Sequence, residues 1–446
     1  MKISYKWLCE LVPDLENVPP EELARKLTFA GLEVEAIEDL GKKYCGIIVG
    51  EVLRREKHPN AEKLSVCVVS DGKQQIQVVC GAPNVTAGKK YPFATLGTTF
   101  KNGMVIKPVT LRGVESQGML CSERELGLSE EHEGLMELPI ASCVGAPIAD
   151  VLGLNDVIFE VNVTPNRGDA LSHWGVATDV AVLTGLGMRD PSTRFTRSGQ
   201  AGGDLLGTDE GRGTRDEGRG TRDEKVKGKL KITHRDQKAS GRFTGSEIVD
   251  VNIGPSPAWL KYRLESLGIR SINNVVDATN YVMVLTGHPV HAYDAREIAD
   301  SEIIIETLNE ERKFKTLDGI ERQLVPGDLI IADPRGPVGL AGIMGGENSE
   351  IKPDTKNLIL EVAFFDPNTI RKTSRRLGLN TESSYRFARF VNPETVLCAH
   401  EILRELILTL AGGRVSDIID SYPQTHQQVI LELTDAEITR ILGIAV

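Results

Sequence analysis

The chain has 446 residues, of which 40% are hydrophobic, and a net charge of −11 at pH 7, which is length enough for about three or more domains and balance enough to exclude wholesale coating of a nucleic acid. No apolar run approaches the roughly 18 residues that span a bilayer, and the charged start MKISYKWLCELVPDLE lacks a signal peptide's apolar centre, so a cytoplasmic protein with no membrane partner is expected. The seven cysteines are scattered without a CxxC pair, which indicates neither a metal site nor a disulfide framework.

Residues 1–40 read as a helix over Tyr5 to Leu11, a second opened by Pro19-Pro20 and running from Glu21 to Ala30, then the strand LEVEAIEDL. That is too little to bury a core. Its completion is predicted at 151–190, where VIFEVNVTPNRGD reads as strand and turn and ALSHWGVATDVAVLTG as helix, so the intervening domain is an insertion. Within 41–150, IIVGEVL, LSVCVVS, IQVVCGA, KYPFATL and MVIKPVTL alternate with turns such as Asp71-Gly72 and Asn102-Gly103, the pattern of a small closed antiparallel sheet, best matched by an OB-fold β-barrel. Gly81 to Gly88 with Lys89 and Lys90 is too long for a P-loop, so no ATP site is expected in this chain. Residues 191–227 contain GRGTRDE twice in succession; a polar, neutral, Gly-rich tract cannot repay its ordering entropy and is predicted to be a disordered linker.

From 228 the signals grow denser. KGKLKITH is a strand, and Ser256-Pro257 starts a helix with Leu260, Leu264 and Leu267 on one stripe. In 271–294 (SINNVVDATNYVMVLTGHPVHAYD), Asn273 or Asn274 caps a helix carried by Val275 to Thr286, with Gly287 at its end and Pro289 beyond. Asp277, Asn280 and Tyr281 share one face at i, i+3 and i+4, either lining a cavity or tying down neighbouring loops, and His291 follows on the exit loop. SEIIIETL, KFKTL, RQLVPG and DLIIAD are strands, and GPVGLAGIMGGENS places five glycines within eleven residues, which suits backbone pressed against a ligand. Glu361 interrupts the apolar run LILEVAFF, where a carboxylate costs several kcal/mol unless paired, by a structural Arg or by a hydroxyl on a ligand. Asp366 and Pro367 open a helix with Arg371, Lys372, Arg375 and Arg376 as a basic stripe, a solvated face or a seat for RNA phosphates.

INNVVDATNYV followed by GHPVHAYD closely resembles the editing domain of the bacterial phenylalanyl-tRNA synthetase beta subunit. HPNAEKL, CGAPNV and RGVESQGMLCSERELGL are similar to the tRNA-binding OB module of several synthetases. The resemblance covers nearly the whole chain except the repeat tract. It implies an α+β multidomain protein with a split small α/β N-terminal domain (1–40 plus 151–190), an inserted OB-fold domain (41–150), the linker (191–227), a mixed α/β editing domain (228–412) and the start of a further, truncated domain (413–446). The implied activity is hydrolysis of tyrosine mis-esterified to tRNA(Phe), within an enzyme whose alpha subunit phenylalanylates tRNA with ATP and Mg2+; no cofactor is implied here. A non-catalytic tRNA-binding fragment is the alternative. By the same resemblance Glu361 accepts the tyrosine hydroxyl, Gly345 closes the ring slot, His291 and Thr381 serve the catalytic step and Ser383 lines the cavity; from the residue pattern Asn280 is a further candidate for the cavity, and Lys63 and Arg112 in the OB blocks and Arg371 and Arg375 on the basic stripe are the candidate tRNA contacts. No Ser-His or Cys-His pair is apparent, so attack by a positioned water is expected. The chain departs from the family where FERGVDP becomes Phe387 to Pro393, FARFVNP, and where His288 replaces a common Gln.

Overall fold

Ser4 ends strand β1 (Lys2–Ser4), and its hydroxyl accepts from Trp7 N, starting helix α1 (Tyr5–Leu11). Helix α2 (Pro20–Phe29) begins on Pro20 and buries Leu23, Ala24 and Leu27; strand β2 (Glu33–Asp39) follows. These strands are completed only after the insertion, by β10 below. This is a computed structural model, and it describes residues 1–128, 134–191, 226–423, 425 and 430–444, so the GRGTRDE repeats lie outside the described residues.

The insertion consists of β3 (Ile47–Lys57), β4 (Ser65–Ser70), β5 (Gln75–Cys80), β6 (Lys90–Ala94), β7 (Val109–Leu111), β8 (Val114–Ser116) and β9 (Met119–Leu120), with the short helix α3 (Glu123–Leu126) after them. Its sheet runs β5-β4-β3-β6-β9, entirely antiparallel. Gln117 N donates to Gln77 O at 2.9 Å and Val79 N to Ser116 Oγ at 3.0 Å, so the far edge curls back toward β8 and β9 as a half-barrel.

Strand β10 (Val157–Asn162) then enters between β1 and β2, so chain on either side of the insertion shares one sheet. Helix α4 (His173–Thr184) packs behind it. His173 is fully buried, accepts from Ser4 N on Nε2 at 2.9 Å, meets Val284 O through Nδ1 at 3.2 Å and stacks on Trp7 at 4.2 Å. Since Nε2 accepts, Nδ1 carries the proton, and one neutral ring joins the first part of the chain to the last.

That last part comprises β11 (Lys231–His234), β12 (Ser240–Val249), helix α5 (Ala258–Ser266), helix α6 (Asn274–Thr286), β13 (Val290–Asp294), β14 (Glu302–Thr307), β15 (Arg312–Lys315), β16 (Glu321–Leu324), β17 (Leu329–Asp333), β18 (Gly336–Leu340), β19 (Met344–Gly345), β20 (Asn357–Phe365), helix α7 (Pro367–Leu377), helix α8 (Glu382–Phe387), helix α9 (Val396–Ala411), β21 (Arg414–Val415) and β22 (Ile419–Ser421). Two five-stranded sheets form, β11-β14-β17-β18-β19 and β13-β20-β12-β21 with β22 on β12. Side chains alternate along β20: Leu358, Leu360 and Val362 join a core with α6 and α9, whereas Ile359, Ala363 and Phe365 join a second core with the other sheet. By the same parity Glu361 points toward that second core.

Helix α5 touches all three parts. Tyr262 enters the insertion's core, Lys261 pairs with Glu123 of α3 at 3.0 Å, and Arg263 pairs with Glu10 at 2.5 Å. Among the described residues no helix is long and apolar enough to cross a membrane.

Candidate functional site

Asn273 caps α6 by accepting from Val275 N and Val276 N, and Gly287 ends it at φ +82°. Of the two readings of Asp277, Asn280 and Tyr281, lining a cavity or tying down loops, the structure supports the second for Asp277. Asp277 is fully buried and accepts from Ser256 Oγ at 2.5 Å, from Ile272 N at 2.8 Å and from Ser271 Oγ, so its carboxylate fastens two loops to the helix start. Tyr281 is fully buried against Trp7, ring centroids 4.6 Å apart. Asn280 is partly exposed on α6 and makes no hydrogen bond to His291 or Glu361 among the described residues.

The cluster that does form is built by strand register. His291 lies on β13 rather than on a loop, directly opposite Glu361 of β20, and Gly245 of β12 stands on the other side. Glu361 finds a tyrosine where an Arg was one expected partner: its Oε2 accepts from the hydroxyl of Tyr293, two residues after His291 and therefore on the same face. The other oxygen, Oε1, has no hydrogen-bond partner among the described residues and is not sealed from solvent. Glu361 keeps 7% exposure where Leu360 and Val362 keep none. Burial pushes its carboxyl up to about 7, the Tyr293 hydrogen bond opposing, and raises Tyr293 well above its ordinary value.

His291 packs edge-on to Tyr293 at 4.5 Å. A β-carbon on Gly345 would fall 2.7 Å from His291 Cε1 and 3.1 Å from Leu317 Cδ1, so only glycine lets β19 approach the imidazole. Burial lowers the His291 pKa to about 4, leaving a neutral ring that orients a hydroxyl or water but removes a proton weakly. Thr381 and Ser383 fasten the glycine-rich segment: Thr381 Oγ1 donates to Ile343 O at 2.9 Å while capping α8, and Ser383 Oγ donates to Gly342 O at 3.0 Å. Both hydroxyls are thus spent on backbone carbonyls two or three residues before Gly345.

The basic residues fall in two places. Lys63 is exposed in the 58–64 loop, which is tied to the β7–β8 turn carrying Arg112 by His58 Nε2 on Leu111 O and Asn60 Nδ2 on Arg112 O, both at 3.0 Å. Arg371 and Arg375 are exposed on α7, and Arg371 also donates to Ala388 O at 2.5 Å. Arg376 of the same stripe is anchored to Asp328. In FARFVNP, Phe390 adopts φ +74° where the family pattern has Gly, with its ring 5.3 Å from Phe364. His288 is buried against Thr395 Oγ1 at 2.5 Å.

Residues 239–412 match the B3/4 domain family, and residues 47–147 match the family described as a putative tRNA binding domain. The chain is 46% identical over 423 residues, 94% of its length, to a phenylalanine--tRNA ligase beta subunit of Anaeromyxobacter dehalogenans. It is 45% identical over 95% of its length to that of Geobacter sulfurreducens. This chain is a homologue of phenylalanine--tRNA ligase beta subunits. It spans about half the length of those curated relatives, 50% of each. A solved N-terminal fragment of the phenylalanyl-tRNA synthetase beta subunit from Pyrococcus horikoshii overlaps 66% of this chain and 74% of its own, at 13% identity and TM-score 0.31, too slight a likeness to bear on the fold. For a phenylalanine--tRNA ligase beta subunit homologue, the Glu361 cluster lies inside the B3/4 match and Lys63 and Arg112 inside the tRNA-binding match.

Proposed function

We propose that this chain binds tRNA(Phe) and hydrolyses tyrosine mis-esterified to it, at the cluster that His291 of β13, Gly345 of β19 and Glu361 of β20 form. The need is physical. A site shaped for a phenyl ring rejects an isostere bearing one extra hydroxyl by only about a hundredfold, whereas a site built to hydrogen-bond that hydroxyl rejects the ligand lacking it by about four to five orders of magnitude at best. The observation that carries the reading is the half-satisfied carboxylate of Glu361, with Oε2 held and Oε1 open.

In this reading Oε1 accepts the phenolic hydroxyl, Gly345 gives the ring its slot, and neutral His291 orients the ester or the attacking water. Thr381 and Ser383 hold the 342–343 backbone in register. Lys63 and Arg112 on the insertion and Arg371 and Arg375 on α7 contact the tRNA backbone, whereas Asn280, on the helix that packs against the opposite face of β20, takes no part. ATP and Mg2+ belong to phenylalanylation by the alpha subunit in the complete enzyme, the proposed protein partner, and enter no step here.

The test is deacylation by the purified chain of Tyr-tRNA(Phe) and Phe-tRNA(Phe) side by side. Hydrolysis of the tyrosyl ester at least a hundredfold faster is expected. Equal, background rates with retained tRNA binding would establish the second reading, a non-catalytic tRNA-binding module, which the match over residues 47–147 favours.

A further inference from the structure

Tyr293 is 2% exposed and sits in the core between the two sheets with Ile359, Ala363 and Phe365. Its hydroxyl reaches out of that apolar core to Glu361 Oε2. Packing would be served as well by Phe, so the hydroxyl needs a reason. Nothing charged competes for the carboxylate among the described residues: Gly245 lies opposite Glu361 on β12, Gly339 of β18 lies beside the Tyr293 hydroxyl, Gly345 of β19 and Leu317 flank His291, and His291 and Tyr293 are the titratable neighbours on β13.

A buried carboxyl with two equivalent oxygens, free to rotate and to take up a proton, reads a ligand hydroxyl poorly, because in its neutral form it both donates and accepts. We propose that Tyr293 is a positioning residue that sets the pocket's specificity: held from the core side, its hydroxyl occupies Oε2 and leaves Oε1 as the acceptor presented to a phenolic hydroxyl of the ligand. This rests on the editing reading above. Tyr293 does not touch the reacting ester; it acts through Glu361. Burial raises the carboxyl toward neutrality, and the Tyr293 hydroxyl is what pulls it back toward the ionised, purely accepting form.

The experiment uses the full chain as parent, Tyr293→Phe and Glu361→Gln, with Tyr-tRNA(Phe) and Phe-tRNA(Phe) deacylation measured between pH 5.5 and 8.5. In parallel, the Glu361 carboxyl is titrated by carbon NMR with carboxyl-labelled glutamate, its signal assigned by its loss in Glu361→Gln. In the parent, tyrosyl hydrolysis should rise through a midpoint near 7 that Glu361→Gln abolishes. In Tyr293→Phe the midpoint and the NMR titration should both move up by about one pH unit, so that at pH 6.5 tyrosyl hydrolysis falls about tenfold while phenylalanyl hydrolysis stays at background. Replacing position 293 by 3-fluorotyrosine keeps the fold and strengthens the donor, and should move the titration down. A Glu361 titration that stays in place in both the Tyr293→Phe and fluorotyrosine proteins overturns the inference even if Glu361→Gln is inactive. Absence of tyrosyl hydrolysis by the parent at every pH overturns the editing reading instead, and the NMR titration still decides what Tyr293 does.

Discussion

Replacing Glu361 separates recognition from architecture because its two oxygens have different tasks. In Glu361→Gln the amide oxygen still accepts from Tyr293, while the amide nitrogen faces the ligand where Oε1 stood. A charge-assisted hydrogen bond exceeds a neutral one by about 1 kcal/mol, so tyrosyl deacylation should slow by about fivefold with the fold intact. In Glu361→Ala the ligand loses its acceptor altogether, about 2 kcal/mol or roughly thirtyfold in rate. The same change strands the Tyr293 hydroxyl in a core where the ring is 2% exposed, at a further cost of about 1–3 kcal/mol in stability. Rates should be read as kcat/KM on Tyr-tRNA(Phe), alongside a thermal melt of each variant. The Ala melt should fall by about 2–4 °C per kcal/mol in a domain of this size, and the Gln melt by less. Parent-like tyrosyl hydrolysis by a folded Glu361→Ala protein would refute the reasoning and make the carboxylate a purely structural partner of Tyr293.

Asp277→Ala should destabilise the chain by about 3 kcal/mol, since it removes from a fully buried position the acceptor of two serine hydroxyls and of the Ile272 N–H, while Asp277→Asn should cost about 1 kcal/mol; urea titration distinguishes them, and a loss below about 1 kcal/mol for Ala would contradict the loop-fastening role. Stability should also fall on acidification from pH 6.5 to 4.5. Burial lowers His173 and His400 to about 3 and His288 to about 4, so these rings stay neutral in the fold while the unfolded chain protonates them, and Glu361 and Glu265, both raised to about 7, oppose with two protons on the native side. The unfolded state thus binds a net one proton more, about 1.4 kcal/mol per pH unit, and His291 adds in the same direction; a urea midpoint that rises as pH falls through this window would contradict the assignment. Phe390→Gly should be more stable than Phe390→Ala by roughly 1 kcal/mol, because both lose the ring and only glycine relieves the φ of +74°. Arg375→Ala and Lys63→Ala should each reduce the slope of log affinity for tRNA against log salt by about 1 without altering hydrolysis of bound ester, as expected of phosphate contacts.

What was legible in the sequence is what neighbours in the chain decide. The cap at Asn273 and the stop at Gly287 are contests between a few adjacent residues, and both end as their types dictate. Glu361 announced itself because an ionisable group in an apolar strand demands a partner. The partner's identity did not, since the pairing of β13 with β20 joins positions 68 residues apart and register across that distance is set by packing that no local pattern records. A signal was nevertheless present. His291 and Tyr293 are two apart, so a strand there puts both on one face, and a tyrosine enclosed by apolar neighbours needs somewhere to send its hydroxyl. One run held a buried acceptor without a donor and the other a buried donor without an acceptor. Placing His291 on an exit loop hid that complementarity, and with it the reason why one carboxylate oxygen is taken and the other remains open to a ligand.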